Sequence, residues 1–222
     1  MWMSLSWSYS SISLFKQCPR KYYRLRVLKD IKEPPAKHLT YGNAVHKACE
    51  DYGKQGSRIP KEYEFIKRHV DILLRTKGEH FFEYRMGLTK DLEPCKFFDK
   101  DVWWRGIADF VAVDGEVALL VDYKTGKSAQ YADTHQLQLL SLALFAHFKE
   151  VKRIRCGLLF LVSKEFVPAT FKRDVIESGW TYWNKDVTRL EKSIEFDVWN
   201  PQENFTCRKW CPVTDCEYNG NN

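Results

Sequence analysis

The chain has 222 residues, 44% apolar, 15% aromatic and 29% charged, with no internal repeat or low-complexity tract, which excludes disordered and repeat architectures and leaves room for a buried core. Lysine and arginine outnumber aspartate and glutamate by 35 to 29, a formal charge of +6 that mildly favours polyanionic partners. Seven cysteines in a chain expected to be cytoplasmic argue against a disulfide framework and toward a metal or cluster site.

The opening segment, MWMSLSWSYSSISLF, has no basic region ahead of a long apolar run, so no signal peptide is expected, and no apolar stretch is long enough for a membrane span. From Ser8 onward, hydroxyl residues able to cap a helix precede apolar positions at helical spacing. DIKEPPAKHLTYG, with its double proline, reads as a linker. NAVHKACEDYGKQG predicts a helix opening after Gly42 and closing at Gly53, and a longer helical stretch is expected from about Pro60 to Phe82. Residues 101–126 read as a β-hairpin. DTHQLQLLSLALFAHFK predicts an apolar helix, RIRCGLLFLVS a further strand, and RDVIESGWTYWNKDVTRLEKSIEF an amphipathic helix. A cysteine-bearing tail, CRKWCPVTDC, follows. This order predicts an α/β core with a mixed sheet and a helical N-terminal part.

The hairpin GIADFVAVDGEVALLVDYKTG carries the chemistry. Asp114-Gly115 favours a two-residue type I′ loop, which would set Val113 opposite Glu116 and Asp109 opposite Leu120. Asp109, Asp122 and Lys124 would then share one face, with Asp109 a diagonal neighbour of Asp122 at about 7–8 Å, near enough to converge on one ion. These charges could instead be a solvated face with a weak surface pair. Against that, ALLV leads directly into Asp122 without polar alternation, as in a strand buried on both faces. Acids at the end of such a strand need compensation, which a divalent cation supplies.

Asp109, the turn, and Asp122-Tyr123-Lys124-Thr125-Gly126 together resemble the core of the PD-(D/E)XK nuclease superfamily, specifically its RecB-like branch. That branch includes nuclease domains of recombination helicases, CRISPR adaptation nucleases and stand-alone phage exonucleases. The resemblance implies a restriction-endonuclease-like fold, a central mixed β-sheet flanked by helices, over a single domain of residues 1–222. Within it, 1–100 would be mainly helical, 101–165 the catalytic sheet core, and 166–222 a C-terminal helix and cysteine cluster. Asp109 and Asp122, with the Tyr123 backbone carbonyl, would hold Mg²⁺ or Mn²⁺, and Lys124 would orient and polarise the attacking water. The Gly-x-x-x-His spacing of Gly42 and His46 resembles the upstream ligand motif, making His46 a third ligand; Glu50, one helical turn on, is a further candidate. Gln136 would open the helix that holds the lysine and the DNA, although Asp133 and Gln136 also have the spacing of a capping box, and Leu140 stands where the family often has tyrosine.

Cys18 with Cys207, Cys211 and Cys216 resembles the four-cysteine [4Fe–4S] staple of that branch, with structural Zn²⁺ as the alternative. The trio is spaced C-x3-C-x4-C rather than the commoner C-x2-C-x5-C. Arg20, Lys21 and Arg24, interleaved with tyrosines, could track a DNA strand, or could be solvated cations beside packed rings. Gly126-Lys127-Ser128 is not part of a phosphate-binding G-x4-G-K-S/T loop, since Val121 stands where the first glycine is needed, so a stand-alone enzyme is expected. The function implied is a metal-dependent deoxyribonuclease: an exonuclease leaving 5′-phosphates in phage-type recombination, replication or DNA processing. The rivals are a structure-specific or restriction-like endonuclease and a non-catalytic DNA-binding module. Its partners would be single-stranded DNA or duplex ends and a recombination or single-strand-binding protein, in the cytoplasm (the host's, if phage-encoded) and not a membrane; oligomeric state is left open.

Overall fold

The computed structural model describes residues 6–33 and 37–220; the double proline of the expected linker lies outside them. Ser8 caps α1 (Tyr9–Gln17) through a reciprocal box with Ser11, as the run of hydroxyls predicts. Cys18 then caps a short α2 (Pro19–Tyr22) that continues as a π-helical turn, Tyr23–Leu28. Next come α3 (Lys37–Gln55), a 3₁₀ segment (Lys61–Ile66) and α4 (Lys67–Leu74). The strands are β1 (Glu79–Leu88), β2 (Pro94–Cys95), β3 (Trp104–Asp114), β4 (Val117–Lys124), β5 (Arg153–Phe160) and β6 (Glu165–Lys172). α5 (His135–His147) joins β4 to β5, and α6 (Ile176–Phe196) follows β6.

The six strands lie in the order β2-β1-β3-β4-β5-β6. Every neighbouring pair is antiparallel except β4–β5, and that parallel pair needs the crossover that α5 supplies. One core lies between the sheet and α1, α5 and α6, holding Leu120, Leu140, Leu144, Trp180 and Trp183. A second lies between the sheet and α3 and α4, holding Val45, Cys49, Val70, Phe110 and Val121. The helix α5 is apolar nearly all round because the sheet and α6 bury it from both sides. Among the described residues, no helix is long and apolar enough to cross a membrane.

Several boundaries differ from those the sequence predicts. The sheet extends beyond 101–165 in both directions, taking in β1 and β2 before it and most of β6 after it. The helical stretch expected to reach Phe82 stops at Leu74, and Glu79–Leu88, rich in aromatics, pairs with β3. Pro168 disguised β6; it is tolerated because β6 is an edge strand, where a missing N–H can face outward. The hairpin register also differs. The pairing Asp114↔Val117 makes Gly115-Glu116 the loop, with Gly115 at φ 55°, the position where a II′ turn requires glycine. Continued by one step past Phe110↔Val121, this register sets Asp109 directly opposite Asp122 rather than diagonal to it.

Gly53 does not end α3; the helix runs through it to Gln55. A Cβ there would stand 2.1 Å from the ring of Phe82, so the glycine exists for close approach to β1. Alanine would gain about 1 kcal/mol of helix propensity. Forcing a buried ring aside costs about 1–3 kcal/mol. Gly53→Ala is therefore expected to lower the urea midpoint or Tm, despite being a helix-favouring change.

Candidate active site

The pleat of the sheet is broken at one place. On both sides of that place β1 and β3 keep one register, Phe82↔Phe110 and Tyr84↔Ala108, so neither strand has gained a residue. Yet Phe82 and Phe110 pack on the α3 side while Tyr84 and Ala108 pack on the α5 side, which strict alternation forbids. The residues between them are Glu83, at φ 50°, and Asp109. A non-glycine residue in the left-handed region costs about 1–2 kcal/mol, and such strain gathers at functional positions.

Asp109, 7% exposed, is satisfied from two directions. Its Oδ1 lies 3.0 Å from Nδ1 of His46 on α3, and its Oδ2 accepts the Tyr123 backbone N–H at 2.5 Å. One ligand atom each from His46, Glu83 and Asp109 lies within 4.8 Å of the others. On the α5 side, Gln136 donates through Nε2 to Oδ1 of Asp122 at 2.7 Å, and its Oε1 accepts from the Lys124 ammonium at 2.9 Å. The ammonium also pairs with Asp122 Oδ2 at 2.7 Å, so Gln136 and Lys124 between them partner both oxygens of that buried carboxylate.

Burial raises the Asp122 carboxyl to about 6, with the charge of Asp109 adding to it and Lys124 and His46 opposing. Burial and then Asp109 raise Glu83 to about 7. For His46, burial alone would favour the neutral ring, but the hydrogen bond and charge of Asp109, with Asp122 and Glu83, outweigh it and the net shift is upward. Three carboxylates thus crowd around one lysine and one histidine. A hard or borderline divalent cation fits this set, one nitrogen with several carboxylate oxygens.

The structure brings together Asp109, Asp122, Lys124, His46 and Gln136, though not as a single row on one face. Asp109 turns to α3, while Asp122 and Lys124 are held from α5. The predicted capping box is absent: Asp133 accepts from the His135 N–H and the Tyr9 hydroxyl, leaving Gln136 to the site. Glu50 is held by Lys54 at 2.6 Å and Lys47 at 3.1 Å, outside the three-residue donor group, where Glu83 stands instead. Sequence reading missed Glu83 because it took the segment up to Phe82 as helix; the available signal was one acid inside the aromatic run HFFEYR.

Arg20, Lys21 and Arg24 are not free cations. Arg20 pairs with Glu217, Lys21 with Glu33, and Arg24 with both Asp30 and Asp215. Two of the three lash the N-terminal helices to the tail. Cys18, Cys207, Cys211 and Cys216 line one small pocket between those segments. Backbone N–H groups of Lys21 and Gln202 point at the Cys18 sulfur, and that of Asn204 at the Cys207 sulfur.

Residues 6–216 match a sequence model of the PD-(D/E)XK nuclease superfamily. The fold is similar to that of a Eubacterium rectale protein provisionally assigned as an exonuclease. The two share 11% identity and a TM-score of 0.55, over 97% of this chain and 87% of that one. It is also similar to SSO0001, with 12% identity and a TM-score of 0.52 over 99% and 89%. No curated protein sequence matches the chain.

In all three shifted groups the folded protein holds its proton more tightly than the unfolded chain. Stability of the metal-free protein is therefore lost as pH rises from each ordinary value, 3.8 for Asp122 and 4.5 for Glu83, through about 6 and 7, with His46 adding the same sign above 6.5. In chelator, Tm is expected to be lower at pH 7.5 than at pH 5.5. Added Mg²⁺ or Mn²⁺ should raise it more at the higher pH; a Tm in chelator that rises with pH would contradict these environments.

Proposed function

The chain belongs to the PD-(D/E)XK nuclease superfamily, and from that premise we propose that it is a metal-dependent deoxyribonuclease of RecB-like type, an exonuclease that leaves 5′-phosphates. The observation that carries the reading is the linkage of Asp122 and Lys124 through one glutamine, beside an Asp109 shared with His46. His46, Glu83, Asp109 and Asp122, with the Tyr123 backbone carbonyl, would hold Mg²⁺ or Mn²⁺. When bound, such an ion acidifies a water and neutralises phosphate charge.

The residues divide the remaining work. Gln136 fixes the Lys124 ammonium with its amide oxygen and Asp122 with its amide nitrogen, so both are preorganised. From that position Lys124 orients the attacking water and stabilises charge developing on the phosphate. The Tyr123 N–H, donated to Asp109, locks the strand that carries both Asp122 and Lys124. A binding module would need none of this set, so catalysis is the better reading.

The four-cysteine pocket supports a structural prosthetic group. N–H groups aimed at sulfur are what thiolate ligands accept. The resemblance of Cys18, Cys207, Cys211 and Cys216 to a four-cysteine staple makes [4Fe–4S] the proposed reading, with structural Zn²⁺ as the alternative. Protein purified without oxygen should be brown and carry about four irons; a colourless, zinc-loaded protein would remove the cluster and leave the active site untouched.

Lys124→Ala is expected to slow digestion of end-labelled linear DNA by about 10²–10³-fold, and Asp122→Asn at least as much, with Tm retained. Gln136→Ala should cost less. Covalently closed circles, single- or double-stranded, should survive; their cutting would favour the endonuclease reading. Undiminished cleavage by Asp122→Asn would sink the mechanism.

A further inference from the structure

Going outward from the catalytic break, β1 and β3 carry further rows of side chains on the same face. Glu83 and Asp109 form the first row, Arg85 opposite Ile107 the next, and Gly87 opposite Arg105 the third. Rows two residues apart are separated by about 7 Å. The connection from β2 to β3 lays the Phe97 ring over both guanidiniums, at 5.7 Å from Arg85 and 5.4 Å from Arg105. Phe98, edge-on to Phe97, lies 5.7 Å from Arg105 and is 73% exposed. Arg85 and Glu83 also line one open groove of about 650 Å³ with Lys54 and His80.

Charge separates these two arginines from the others singled out in the sequence. Arg20 and Arg24 are neutralised by carboxylates, but among the described residues neither Arg85 nor Arg105 has an acid within ion-pair distance. Asp99 accepts the Asp101 N–H, and Asp101 lies 3.9 Å from Lys100; neither makes an ion pair with these arginines. The Nε of Arg105 is buried with no acceptor. A buried donor without a partner is costly, and two unneutralised guanidiniums on one face call for anions. The most exposed aromatic flank of this patch is the Phe98 ring, which phosphate alone does not require. A ring of this kind takes the face of a base, which pairs inside a duplex keep covered on both sides and an unpaired strand leaves open.

We propose that Arg85, Arg105 and Phe98 form the docking platform for the single-stranded DNA segment next to the phosphate being cut: the arginines take phosphates of the strand, and Phe98 stacks on an unpaired base. Phe97 holds both guanidiniums in place from beneath. This inference rests on the nuclease reading of the neighbouring site and adds to it the form of DNA that enters.

The test is fluorescence anisotropy in chelator, so that nothing is cut, with a labelled oligothymidine and a covalently closed duplex minicircle, on the full chain. Phe98→Ala should weaken oligothymidine binding roughly 5- to 100-fold and leave the duplex nearly unchanged, and Phe98→Trp should restore it. Arg85→Ala and Arg105→Ala should weaken both DNAs, each lowering the single-strand salt slope by about 0.7. Far-ultraviolet circular dichroism confirms that each variant is folded. Wild-type affinity in Phe98→Ala and in the double arginine variant overturns the platform; equal loss for both DNAs in Phe98→Ala overturns the single-strand assignment. Mg²⁺-dependent degradation by the wild type is measured alongside. Binding through these residues without degradation would overturn the nuclease reading alone, and degradation with normally binding variants would overturn the platform alone.

Discussion

Asp109 keeps a carboxylate at 7% exposure in the middle of a sheet, where an unpartnered charge would be prohibitively costly. Its two oxygens meet that cost through groups from different parts of the chain. One partner is the backbone of Tyr123 and the other the ring of His46. The first ties Asp109 to the strand end that bears Asp122 and Lys124; the second ties it to α3. Satisfying one carboxylate therefore sets the relative positions of β3, β4 and α3. The arrangement remains short of positive charge, and so it is built for a cation supplied from outside the chain.

The break in the sheet is what makes this convergence available. A regular antiparallel pair would keep Phe82 and Tyr84 on one face and seal the position between them. Here the phase of the pleat changes at Glu83 and Asp109 without any insertion, so hydrophobic side chains leave both acids a route toward α3. The left-handed Glu83 carries local strain, and cores on both faces of the sheet hold it in place. Rigid flanks on either side explain how a distorted pair of residues can still present a defined geometry.

Much of the site was legible because its residues interrupt strong local patterns. Asp122 stands out after ALLV, and Lys124 and Gln136 follow at short sequence distances that a strand, loop and helix span. The hairpin register was harder, since Asp114-Gly115 and Gly115-Glu116 are both good turns; the sequence does not say which residue takes the positive φ. Glu83 was hidden by a wrong period, a strand read as the end of a helix. The ion pairs of Arg20 and Arg24 were not legible because their partners lie almost two hundred residues away in the tail, beyond any local pattern. Pro168 similarly concealed an edge strand that only its place in the sheet makes acceptable.

The meeting of the N-terminal helices with the cysteine-bearing tail has a topological meaning. Gln202 reaches the sulfur of Cys18, Asn204 the carbonyl of Gln17, and Arg24 the carboxylate of Asp215, so a loop of nearly the whole polypeptide is closed. The entropy of closing a loop grows only with the logarithm of its length, so even a covering this long adds little per residue. A group held by the four cysteines would be bound by the folded chain and released on unfolding, so its binding free energy would add directly to the stability of the fold. The N-terminal helices and the cysteine-bearing tail thus anchor one another, and losing either segment from the fold removes the partners of the other.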